Sequence, residues 1–214
     1  FTPINYKIIY HGVEDAENTN PAEYNIESVP IILTAAEKPG YTFAGWYSDK
    51  EMTKEAVEAI PAESTGEIEL YAKWSENHYK VIFHSNDENA EVKSQKFAYT
   101  EKKALKENQY ERTGYAFTGW ALTPDGTVTY KDQEEVERLA ETDGAEVHLY
   151  AVWQPEIYQI IYENMEDAEN AEDNPTEFTV ENNVITLHDP KGKTGYTFGG
   201  WYMDSAFTKP VSGM

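Results

Sequence analysis

The feature that most constrains this chain is a seven-residue signature written three times: Gly40-Tyr-Thr-Phe-Ala-Gly-Trp46, Gly114-Tyr-Ala-Phe-Thr-Gly-Trp120 and Gly195-Tyr-Thr-Phe-Gly-Gly-Trp201. A period much longer than a helix or a hairpin makes each copy its own supersecondary unit or small domain. In 214 residues the expected organisation is therefore three modules. The first is 1–76, with Phe1 to Asn5 read as a linker from a preceding unit; the second is 77–155; the third is 156–214.

Each copy opens on a strand signal, Tyr6-Lys-Ile-Ile-Tyr10, Tyr79-Lys-Val-Ile-Phe83 or Tyr158-Gln-Ile-Ile-Tyr162, rich in β-branched and aromatic residues. An acidic, Asn-rich loop then leads to a second alternating segment, Glu23-Tyr-Asn-Ile-Glu27 in the first copy, and the pair reads as an antiparallel hairpin. The signature strand follows a turn at Lys38-Pro39-Gly40. Strict alternation would put Phe43 and Trp46 on opposite faces. Gly45 predicts a bulge that returns the indole to the side of Phe43.

Downstream, Val136, Leu139 and Ala140 fall at helical spacing behind an acidic first turn, with weaker helical character over 51–60. The expectation is an α+β unit: a mixed sheet with one short helix. Ile68 to Trp74 and Val147 to Trp153 read as closing strands. Only four residues separate each from the next opening strand, a reach of roughly 13–14 Å, so neighbouring units must lie close. The third copy stops before its helix and closing strand, which is expected to leave it destabilised, completed by another chain or continued in a longer protein. With no initiator Met, export leader or long apolar run, the chain reads as a piece of something larger.

The formal charge of -22 repels phosphate backbones and anionic membranes, which argues against nucleic acid and membrane insertion. Cysteine is absent, which excludes disulfides, thiolate metal sites and a thiol nucleophile while leaving the compartment open.

Chemistry-bearing motifs are sparse. Carboxylates cluster at Glu14, Asp15 and Glu17, at Asp87 and Glu88, and at Asp167, Glu169, Glu172 and Asp173. None follows the spacing of a dedicated calcium loop, so solvated loops are the favoured reading. His11, His78, His84, His148 and His188 contain no His-x-x-x-His pair, which disfavours a zinc site. No nucleophile elbow or phosphate-binding glycine loop occurs. No catalytic, cofactor or metal residue is assigned. Phe43, Trp46, Trp74, Phe117, Trp120, Trp153, Phe198 and Trp201 are expected to form the cores, because rings at alternating strand positions are read as structural. Tyr47, Tyr71 and Tyr202 are the candidates for exposed contacts.

Tyr-x-Ile-x-Tyr, then Asn20-Pro21 or Asn174-Pro175, then Gly-Tyr-Thr-Phe-x-Gly-Trp-Tyr and Leu-Tyr-Ala-Lys-Trp together resemble the Listeria-Bacteroides repeat, also known as the B repeat of internalins. The second copy departs from the pattern, with Ala121-Leu122 in place of Tyr47-Ser48 and no Asn-Pro. The resemblance implies tandem β-grasp-like (ubiquitin-like) modules in an elongated array on exported, wall-attached bacterial proteins. It implies a stalk or adhesive spacer that meets host or bacterial surface proteins, and no catalytic residues. The alternative is a carbohydrate-binding module that uses exposed Tyr and Trp, attached to a wall- or glycan-processing enzyme.

Overall fold

A computed structural model describes residues 1–182, 184–211 and 213. The first repeat contains β1 (Tyr6–His11), β2 (Glu23–Tyr24), β3 (Ile31–Ile32), β4 (Tyr41–Tyr47), β5 (Ala59–Ile60) and β6 (Ile68–Glu76). Four of these form a mixed sheet in the order β2-β1-β6-β4. β6 runs parallel to β1 and antiparallel to β4, so the last strand in the sequence occupies the interior of the sheet. β3 and β5 pair as a second, small sheet.

The second repeat rebuilds this plan from β7 (His78–His84), β8 (Val92–Ala98), β9 (Lys103–Ala104), β10 (Tyr115–Ala121), β11 (Glu135–Val136) and β12 (Glu146–Pro155). Its sheet order is β10-β12-β7-β8, with β9 and β11 as the small pair. The third repeat has only two two-stranded ribbons, β13 (Tyr158–Gln159) with β14 (Glu177–Phe178) and β15 (Trp201–Tyr202) with β16 (Pro210–Val211).

The architecture is all-β, which corrects the α+β, helix-bearing, β-grasp-like expectation: no helix forms among the described residues. Where helices were expected, Ala59–Ile60 and Glu135–Val136 make short strands instead. Backbone conformation explains the difference. Gln133 and Arg138 have φ of 58° and 54°, and Met52 has 52°; such left-handed residues cannot lie within a right-handed helix. An isolated segment of about nine residues is also too short to hold a helix by propensity alone. Pairing with β3 or β9 gives these backbones ladder partners and inserts Ile60 and Val136, both buried, into the core.

The bulge expected at the signature glycine is present. The β4–β6 register slips between Phe43 and Gly45, and the β10–β12 register between Phe117 and Gly119. Gly45 and Gly119 adopt φ of 126° and 146°, a region that side chains disfavour. The extra residue brings Trp46 to 5.1 Å from Phe43 and Trp120 to 4.9 Å from Phe117, ring centre to ring centre. Separate clusters then form around each indole, one with Ile8, Tyr24, Ile60 and Leu70, the other with Tyr79, Phe97, Leu105 and Leu149.

Candidate functional site: the joints between repeats

β6 ends at Glu76 and β7 begins at His78, so a single residue, Asn77, separates two sheets. The four-residue linker read from the sequence is almost entirely strand. Asn77 is 6% exposed and every kind of polar group it has is engaged. Its amide donates to the Gly40 carbonyl at 2.9 Å, and its carbonyl accepts from the Tyr99 amide at 2.9 Å. Its side-chain amide donates to the Glu141 carbonyl at 2.7 Å, and its side-chain oxygen accepts from the Thr42 hydroxyl at 2.6 Å. A buried, fully satisfied polar residue specifies one geometry, because any other arrangement would leave its groups orphaned.

Around this pivot the second repeat lies directly on the first. Gly40 has a φ of 75°, and a Cβ there would come within 2.0 Å of the Tyr99 ring. Tyr41 and Tyr99 meet edge to face at 6.2 Å. Glu76 accepts bonds from the Thr100 hydroxyl and amide, which hold its carboxyl below the usual range.

The next joint keeps the plan with fewer bonds. Gly114 accepts from the Glu156 amide at 2.9 Å, and a Cβ on Gly114 would meet Val180 at 2.1 Å. Glu156 stands in the place of Asn77, but its side chain turns to its own unit and accepts from the Tyr158 hydroxyl at 2.7 Å. Tyr115 donates across the joint to Glu181 at 3.2 Å. In both joints the signature's first glycine is the seat for a side chain of the following unit.

Other placements separate the sequence candidates into groups. Trp46 and Trp120 are buried, while Phe43, Trp74, Phe117 and Trp153 are half-buried beside them. Trp74 donates to the Gly12 carbonyl and Trp153 to that of Ser85, each at 2.7 Å. Phe198 is exposed and Trp201 half-buried, their rings 5.1 Å apart along a groove of about 1310 Å³ in the third repeat. Tyr47, Tyr71 and Tyr202 are half-buried, and each touches a neighbour: Lys73, His11 and Phe207 respectively.

The structure also gives the Asn-Pro pair a role that its motif alone did not reveal. The Asn20 side chain bonds both the amide and the carbonyl of Thr34, and Trp46 donates to that same carbonyl at 2.8 Å. Asn174 and Trp201 treat His188 in the same way. The second repeat replaces this clamp with Gln95, which takes the amide of Lys106 but the carbonyl of Ala104. Its Trp120 indole N–H is left buried without a partner. The structure further unites His84 and His148, 64 positions apart, through ring nitrogens at 2.9 Å; no local spacing could signal that pair.

This arrangement, small mixed sheets in series with a glycine seat at each joint, defines a tandem-repeat protein. The chain belongs to the Listeria-Bacteroides repeat family, whose domain matches residues 6–73, 79–152 and 158–213. Modules of this family are typically structural and non-catalytic. The chain is similar to a "Putative Gly-rich membrane protein" of Evansella cellulosilytica, with 30% identity over 176 residues, covering 81% of this chain and 18% of that protein. A "Putative membrane protein" of the same organism is 30% identical over 179 residues, covering 82% of this chain and 24% of the relative. Internalin H of Listeria monocytogenes is 38% identical over 92 residues, 41% of this chain and 15% of the internalin. The chain thus spans less than a quarter of the length of each of these relatives.

Proposed function

We propose that this segment is a non-catalytic spacer of a bacterial surface protein, holding other parts of that protein at a set distance and orientation and making weak, multivalent contacts with surface proteins. The observation that carries the reading is the joint at Asn77. A flexible tether would place exposed Gly and Ser between units; here one buried residue satisfies both neighbours. Repetition of the glycine seat at Gly114 supports a rule for propagating orientation along an array. The surface-associated names of the relatives support the location. Multivalency raises effective concentration without a strong individual site.

Solution scattering tests this. A compact globule of 214 residues would have a radius of gyration of about 17 Å. An array in series predicts a value well above that, with a narrow distribution of lengths. A value near 17 Å would refute the spacer reading.

A further inference from the structure

The outer face of the second repeat carries an imidazole pair at positions where the first repeat has one histidine and one carboxylate. β7 and β12 are parallel neighbours, with Tyr150 opposite His84 and His148 opposite Ile82. His84 and His148 are therefore diagonal neighbours on the face turned away from the core. Nε2 of His84 lies 2.9 Å from Nδ1 of His148. The His84 ring stacks on Tyr150 at 4.5 Å with 12° between planes, which fixes its orientation from the opposite side. Neither imidazole forms an ion pair with a carboxylate among the described residues. Lys80, Lys96 and Glu146, the charged groups on this face, lie at least one cross-strand pair away from both rings.

We propose that His84 and His148 form a two-imidazole site for a late first-row divalent cation, Cu²⁺ or Ni²⁺, with water completing the coordination. Imidazole nitrogen suits these ions, and tetragonal geometry with N and O donors is their preference. Metal–nitrogen bonds of roughly 2.0–2.1 Å held at a right angle separate two donor atoms by about 2.9 Å. A tetrahedral angle would require about 3.3–3.4 Å with the same bonds. The observed separation is thus the bite of two adjacent positions in a square or octahedron, reached by turning both lone pairs toward one point beside the line that joins them. Burial and the neighbouring His148 hold the His84 imidazole below the ordinary histidine range, so it is neutral and able to ligate at pH 7. An ion there would bridge two adjacent strands.

The first repeat supplies an internal comparison. His11 and Glu69 occupy the equivalent places, 3.1 Å apart, and the Glu69 carboxylate is already engaged by the Tyr71 hydroxyl. In the third repeat Glu163 stands at the position of His84.

The experiment titrates the full chain at pH 7.5 with CuCl₂ and with NiCl₂, followed by calorimetry and, for copper, by electron paramagnetic resonance. The parent is expected to bind one ion through two equivalent-type nitrogen donors. His148→Ala, at an exposed position, is expected to weaken binding about tenfold or more, each tenfold being roughly 1.4 kcal/mol, with unchanged circular dichroism. His148→Glu should also lose the two-nitrogen signature, while His11→Ala, His78→Ala and His188→Ala should bind as the parent does. The proposal fails if the parent shows no two-nitrogen signature, or if the His84→Ala/His148→Ala variant binds with the parent's affinity and stoichiometry.

Discussion

The second and third repeats share a signature but not a core. In the second, β12 lies between β7 and β10 and covers Trp120, which is 1% exposed. In the third, no strand lies between the opening segment and the signature, and Tyr196 and Ile161 are 75% and 79% exposed. The rings are oriented alike in both, since Phe117–Trp120 and Phe198–Trp201 meet at 4.9 and 5.1 Å with nearly the same tilt. The signature and its bulge therefore arrange the aromatic pair locally. Burying that pair is the work of the central strand, which arrives from far along the sequence.

Trp replacement should separate the two regions most. Trp120→Ala is expected to cost on the order of 3–5 kcal/mol, as for a large buried ring. Trp201→Ala should cost about 1 kcal/mol, because a half-exposed ring gives up only part of the roughly 1.5–3 kcal/mol of full burial. Chemical denaturation of each variant, followed by tryptophan fluorescence, measures both. Equal losses would show that the central strand does not govern the core.

The glycine seats should separate next. Gly40→Ala puts a methyl group into the Tyr99 ring and strains a φ of 75°. The combined cost is about 2–4 kcal/mol, from roughly 1–2 for the backbone and 1–3 for overpacking. Gly195 has a φ of 82° but nothing within 4 Å of its Cβ position, so Gly195→Ala should cost only the backbone share, about 1–2 kcal/mol. Calorimetric scans should show the first and second repeats melting more independently in Gly40→Ala and not in Gly195→Ala.

The smallest effect is in pH. Burial, and then the charge of His148, depress the His84 pKa, so the unfolded chain binds the proton more readily than the folded chain. Stability of the second repeat is full above about pH 6.5, the unfolded histidine value, and declines as pH falls from there through the lower folded value. Melting curves between pH 8 and 5 should show this decline in the parent and a shallower one in His84→Phe.

Much of this arrangement was legible because it is local. Gly45 predicted the bulge from its own neighbourhood, and Leu70, Ala72 and Trp74 alternate as a strand should. The helix was misread because Val136, Leu139 and Ala140 satisfy a helical period by spacing alone, whereas Gln133 and Arg138 adopt left-handed conformations that only the finished unit imposes. The Asn20 clamp, the Gln95 replacement and the His84–His148 pair join residues brought together by the sheet. Side-chain identity without topology does not reveal them. Asn77 belongs with these: its sequence neighbours read as a linker, and its burial comes from both flanking sheets.

Hydrogen exchange resolved by segment tests most directly whether the central strand makes the unit. The account predicts strong protection over 79–84 and 115–121, flanking β12, and rapid exchange over the equivalent 158–163 and 196–202. Comparable protection in the two pairs of segments would contradict it.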